Sequence, residues 1–198
     1  MAHMKPLEAE GVADDIRERF EHYRQTRGFT PNSIMTMARR PNIVRAFMQL
    51  NQAVLYEGTV SEELKMLISL IASQVAGCRY CQAHMANLSK IYAASAEKIG
   101  KVWEFEQSEL FSDAERAALR VAYHGAMSPA QATQEHFDAL YRHFDEDQVV
   151  EIVASIALFG FLNRWNDTMA TDIETLPADV AEATLGETFG WEPGKHAG

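Results

Sequence analysis

The chain has 198 residues, 47% of them apolar and 23% charged, a composition that fits one domain with a sizeable core. Eighteen basic against 28 acidic side chains leave a net charge of −10, the wrong sign for holding a nucleic-acid backbone, and no Lys/Arg cluster offsets it. No apolar run approaches the roughly 20 residues of a membrane-spanning helix and no basic-then-apolar leader is present, so no membrane association and a cytoplasmic location are expected.

The opening MAHM reads as a cloning remnant ahead of Met4, and from there the sequence runs as helix after helix. Helices are expected from Asp14 to Thr26, after Thr30-Pro31, and from Asn42 to about Tyr56, with Pro41 breaking the last two apart. Ser61 is placed to cap the next helix. Glu62 and Glu63 suit its first turn, and Leu64, Leu67, Ile68, Ile71, Ala72 and Val75 fall on one face. Gly77 ends or kinks this helix, and another is expected from Cys78 to about Ala94. Ser112 and Glu115 form a capping-box pattern. Ser128 with Pro129 is expected to start a helix carrying Phe137, Leu140, Tyr141 and Phe144 on one stripe. Asp145 with Gln148 opens a further one, apolar nearly all round from Val149 to Leu162 and therefore expected to be central. Its rhythm faintly echoes that of the helix after Ser61. No stretch alternates with period two, so the reading is all-α: a single domain over residues 12–186 with about eight helices. Residues 1–11 and 187–198 are expected to be loosely ordered tails.

Both cysteines lie in GCRYCQAH, Gly77 to His84. Cys78 would stand at a helix start, where unpaired N–H groups, the dipole and Arg79 all favour thiolate. At about 100° per residue, Cys81 lies about 60° round from Cys78 and His84 about 60° round from Cys81. This gives a chain of contacts in which His84 takes or gives a proton at the second sulfur. Three readings follow. The cysteines are small buried apolar residues; or they hold zinc with His84 and a fourth ligand from His124, Glu63 or water; or they cycle between dithiol and disulfide. Gln82, directly after the second cysteine, excludes a c-type haem site. In NRWND, Asn163 to Asp167, an Arg164–Asp167 pair at a helix end with a packed tryptophan competes with a segment lining the thiol pocket or a subunit contact. Tyr80 either gates the sulfurs or packs. His124, His136 and His143 have no metal-ligand spacing and are taken as surface or packing residues.

The segment ASQVAGCRYCQAHMANLSK resembles the core of the AhpD-like and carboxymuconolactone decarboxylase family. KVWEFEQSELFSDAERAALRVAY and FGFLNRWNDTMATDIE resemble the continuation in its peroxidase-related branch. The likeness runs from about Asn42 to Glu174, with the cysteine-bearing core at about 42–127. It implies an all-α AhpD-like fold, a thiol peroxidase that reduces a small hydroperoxide, and regeneration by a dithiol protein or small thiol. It implies no cofactor and no metal. The carried-over site is Cys78, Cys81 and His84, with Cys81 expected to attack and Cys78, nearer the helix start and solvent, to resolve. Two positions depart from the pattern: Met85 stands where the family's thiol peroxidases carry histidine, and Met66 where they carry glutamate. Either Glu63, one turn earlier, supplies the acid, or another chain does, or the activity is weak. A non-catalytic or zinc-stabilised helical module is the competing class. The apolar Ile34, Met35, Met37, Ile43, Val44, Phe47 and Met48, with the resemblance, lead to an expected homo-oligomer, a dimer or a trimer-based assembly, with the N-terminal helices at the contact.

Overall fold

Side-chain caps written into the sequence set several of the helix starts. The computed structural model describes residues 2–8 and 11–198. Its helices are α1 Asp14–Arg27, α2 Asn32–Met37, α3 Pro41–Tyr56, α4 Glu62–Val75, α5 Arg79–Ile91, α6 Ala96–Gly100, α7 Asp113–Gly125, α8 Gln134–Leu140, α9 Glu146–Met169 and α10 Thr175–Phe189. Single turns of 3-10 helix lie at Val102–Glu104 and Gly194–His196. Ser61 accepts from the Leu64 N–H, and Ser112 with Glu115 and Asp145 with Gln148 close reciprocal capping boxes. Pro41 opens α3 at a position where its missing N–H leaves nothing unpaired.

The centre belongs to α4. Every residue from Leu64 to Gln74 is buried, because α5, α7 and α9 pack around it, and α10 covers α5 from outside. This corrects the expectation for α9. Val149, Ile152, Ile156, Leu158, Phe159 and Leu162 are buried, but Val150 is 66% exposed and Val153 and Phe161 are also open. Apolarity all round α9 therefore does not mean burial all round within one chain.

The N-terminal apolar residues are also placed differently from expectation. Ile34, Met37, Val44, Phe47 and Met48 turn inward to the core, and of that set Ile43 alone is exposed. The helix expected from Ser128 begins later, because Thr133 and His136 supply the reciprocal cap at its start. Residues 1, 9 and 10 of the expected loose N-terminal end lie outside the described residues. At the other end, the segment from Glu187 is not loose. It completes α10, buries Trp191 and folds back so that His196 is 1% exposed.

One buried ion pair ties α4 to α9. The Lys65 ammonium meets the Glu151 carboxylate at 2.7 Å with 1% of the lysine side chain exposed. Glu151 also accepts from the Thr59 and Val60 N–H groups at 2.9 and 3.1 Å. Those bonds draw the loop so close that a Cβ at Gly58, where φ is +94°, would lie 2.3 Å from the Glu151 carboxylate. Glycine is the residue this loop can accept.

Candidate active site

The turn between α4 and α5 places the two sulfurs. Gly77 takes φ +73°, a left-handed conformation that closes the C-terminus of α4. The Cys78 N–H then returns to the Ser73 carbonyl at 3.2 Å, and Cys78 becomes the N-cap of α5. Cys81 lies one turn further on. Both are free thiols and both are covered, Cys78 at 0% and Cys81 at 2% exposed. Cys78 is thus at the helix start as expected but not nearer to solvent.

In front of Cys81 is a polar network assembled from distant segments. The Asn166 amide donates to Cys81 Sγ at 3.4 Å. His84 Nε2 meets Glu174 Oε2 at 2.6 Å, and the ring is stacked on Tyr80 at 4.2 Å and edged by Phe29. The Tyr80 hydroxyl donates to Glu174 Oε1 at 3.1 Å and accepts from the Ser33 N–H at 3.2 Å. Glu174 also accepts the Asn32 N–H. Burial pushes the Glu174 carboxyl up, but the charge and hydrogen bond of His84 and the Asn32 N–H more than offset this and hold it below the ordinary range. Burial, and then the Glu174 charge, push the Tyr80 phenol well up, so it stays a donor. Tyr80 does more than pack: it lines the way to Cys81, and its hydroxyl holds the acid that meets His84.

Behind Cys78 lies a second group. His196 Nδ1 meets the Thr171 carbonyl at 2.8 Å, and Asp167 Oδ1 is 3.6 Å from His196 Nε2. The Cys81 thiol, donating to Cys78, draws the Cys78 pKa down to about 6 against the opposing effect of burial, with His196 adding to the pull. Burial and the Cys78 charge push the Cys81 thiol up. Both effects run the same way, favouring the negative charge on Cys78 and the proton on Cys81.

A cavity of about 50 Å³ opens on this arrangement. Cys81, His84, Tyr80 and Asn166 line it together with Tyr23, Phe47, Tyr56 and Phe159. A larger groove of about 850 Å³ runs between α7, α8 and α9, and neither cysteine lines it. The smaller cavity is the one that meets a reactive sulfur.

Among the described residues, one set of donor atoms lies close enough to share an ion: those of Cys78, Asp167 and His196, within 4.8 Å of one another. Asp167 is half-exposed and already paired with Lys195 at 2.8 Å. The extra zinc ligands weighed from sequence are elsewhere. Glu63 is paired with Lys98 at 2.8 Å, and His124 is stacked on His136. The set is better suited to moving a proton at Cys78 than to holding a metal.

Of the four residues expected from sequence, the structure brings Cys78, Cys81 and His84 together and leaves Glu63 out. Glu63 sits at the start of α4 and the cysteines follow its end, ~20 Å away at about 1.5 Å per residue. The acid at His84 is Glu174, which sequence reasoning passed over although it closes the FGFLNRWNDTMATDIE segment. His196 was also missed. In NRWND it is the pocket reading that holds: Asn166 touches Cys81, and Asp167 pairs with Lys195 and faces His196.

A model of the carboxymuconolactone decarboxylase family matches residues 41–124. The debrominase Bmp8 is 36% identical, with a TM-score of 0.84 over 91% of this chain and 96% of that one. A cysteine-to-alanine variant of Bmp8 in complex with 2,3,4-tribromopyrrole superposes as closely, with a TM-score of 0.83 at 36% identity over 90% of this chain and 95% of that one. The AhpD-core, peroxidase-related protein from Ralstonia eutropha JMP134 shares the fold at 24% identity, with a TM-score of 0.82 over 93% of this chain and 97% of that one. The uncharacterized protein YnjA of Escherichia coli (strain K12) is 29% identical over 106 residues, 54% of this chain, and the match spans 58% of YnjA's own length.

Proposed function

Because the chain belongs to the carboxymuconolactone decarboxylase family and shares the AhpD-like fold, we propose that it is a dithiol oxidoreductase that reduces a small apolar hydroperoxide. The observation that carries this reading is Cys81 on the wall of an aromatic cavity it shares with the Glu174-held His84, with Cys78 one turn before it at the cap of the same helix. Cys81 passes its proton to Cys78 and attacks the terminal peroxide oxygen. An S–O bond forms, the O–O bond breaks, and the departing alkoxide takes a proton from the His84 ring. Cys78 then attacks the sulfenic sulfur, the S–O bond breaks, and its proton leaves with the hydroxide as water. An external dithiol or small thiol returns two electrons by exchange. A free dithiol of this kind suits a reducing compartment.

The test is mass spectrometry after one equivalent of a small organic hydroperoxide. A loss of two hydrogens located at Cys78–Cys81 supports the reading. In Cys78→Ser, which also loses the group that takes the Cys81 proton, Cys81 should gain one oxygen more slowly and stop there. If neither cysteine changes, the reading falls, and stoichiometric zinc in the purified protein would favour the zinc-stabilised module instead.

The likeness to Bmp8 and the aromatic lining of the cavity favour a second substrate class, brominated pyrroles. The same dithiol would replace a carbon-bound bromine by hydrogen: the carbon takes the Cys81 proton, bromine leaves as bromide, and the two sulfurs close the disulfide. Parallel assays for alcohol and for bromide release separate the two substrates.

A further inference from the structure

We propose that His196 is a further functional side chain of the dithiol site, its Nε2 exchanging a proton with Cys78 and balancing the Cys78 thiolate as an imidazolium. The inference rests on the dithiol reading above and adds a residue that neither the cysteine motif nor the resemblance points to.

The geometry fixes the ring's protonation. Nδ1 lies 2.8 Å from the Thr171 carbonyl, which can only accept, so Nδ1 carries a hydrogen. Nε2 is then the titrating atom. It is buried, and the groups placed to satisfy it are Cys78 Sγ and Asp167 Oδ1. It faces Cys78 Sγ within 4.8 Å and Asp167 Oδ1 at 3.6 Å.

The surrounding fold holds the ring in that position. The His196 N–H returns to the Pro193 carbonyl at 3.1 Å, and its own carbonyl accepts the Ile173 N–H at 3.0 Å. The Trp191 indole donates to the Arg79 carbonyl at 3.4 Å, pinning the same segment to the first turn of α5. Of the charged and titratable groups that meet the ring, Cys78 and Asp167 lie at Nε2, and the Tyr80 ring lies 6.2 Å from its centre. Lys195 draws on the Asp167 charge at 2.8 Å. The Cys81 thiol faces Cys78 from α5. Burial pushes the His196 pKa down, but the hydrogen bond and charge of Cys78, the Thr171 carbonyl and Asp167 carry it above its ordinary value.

The proton count follows from this pairing. In the dithiol form Cys78 is thiolate and His196 imidazolium. Closing the Cys78–Cys81 disulfide removes the negative sulfur, so the ring releases its proton to solvent. Reduction by an external dithiol restores the thiolate and takes the proton back.

The experiment needs no peroxide. Side-chain NMR of the wild-type protein at neutral pH should show His196 as imidazolium in the reduced form. It should be neutral after oxidation by a thiol-specific oxidant. His196→Asn keeps a donor for Thr171 and deletes the atom facing Cys78, while His196→Gln keeps a neutral amide there. In both, the thiolate absorbance should titrate about one pH unit or more higher than in wild type. A ring with the same protonation in both redox states overturns the proposal, as do variants that titrate like wild type or stoichiometric zinc at Cys78 and His196. If the ring follows the redox state while hydroperoxides leave the cysteines unchanged, the proposal stands and the peroxidase reading falls.

Discussion

Glu174 reaches His84 across 90 residues of sequence, and the contact is made by a carboxylate that has almost no water around it. Its hydrogen bonds to Tyr80 and Asn32 make it a fixed anchor rather than a mobile acid. Glu174→Gln keeps the shape and removes the charge, so peroxide reduction should fall about a hundredfold with little loss of folding, measured by initial rates alongside thermal melts. The sulfur pair sets the pH dependence. With Cys78 near 6, the rate of disulfide formation should be half-maximal near pH 6 and level above neutrality, not rising through pH 8–9 as for an ordinary thiol. Stability carries the same sign. A thiol whose pKa is depressed from 9.0 to about 6 stabilises the reduced fold fully above pH 9, and this contribution is lost as the pH falls through 6. The melting temperature of the reduced protein should therefore gain on that of the disulfide form between those limits. Cys78, Cys81 and His84 were legible in sequence because helical spacing brings them together locally. Glu174 and His196 were not, because nothing periodic links a loop carboxylate or a distant turn to a cysteine far upstream. Glu63 was chosen for being near in sequence, and a rigid helix carried it to the wrong end.

Among the helices, α4 is held by a charge as well as by its apolar flanks. Lys65 is fully covered and its partner Glu151 also organises the Gly58–Val60 loop. Lys65→Met removes one half of a buried pair and should destabilise the fold by about 3 kcal/mol in chemical denaturation. The loss stays at the lower end for such pairs because Glu151 keeps two backbone donors. Gly58→Ala should destabilise by about 2 kcal/mol from its left-handed backbone alone, and further by driving the methyl into the Glu151 carboxylate. Sequence patterning located the starts of α4, α7 and α9 because a serine or aspartate with a partner three residues on is a local signal. It missed α10 and misplaced the start of α8, since Ser128-Pro129 offered a plausible cap and Thr133 a less obvious one. The buried lysine near the start of α4 is invisible to periodicity, which reads it as a gap in the apolar face.

At the scale of the whole molecule, the open side of α9 matters most for assembly. Val150, Val153 and Phe161 stay exposed on a helix whose other face is core, so α9 offers apolar surface to another copy, as do Ile43 and Leu50 on α3. The expected outcome is a homo-oligomer, a dimer or a trimer-based assembly, with a light-scattering mass that is a multiple of 22.2 kDa. Val150→Glu should return it to the single-chain mass without lowering the melting temperature of the monomer. The complete covering of Cys78 has a consequence for turnover. A small oxidant needs only to enter the aromatic cavity, whereas a protein reductant must bring its own sulfur into line with the disulfide. Trp191 and His196 stand over the first turn of α5 where Cys78 lies. The two half-reactions therefore meet unequal barriers, with oxidation governed by diffusion into the cavity and reduction by the small fraction of time the covering segment stands open. Under steady supply of oxidant the protein should accumulate as disulfide. Its rate should saturate with oxidant and stay proportional to a small-thiol reductant, which rapid-mixing kinetics would resolve as two separate phases.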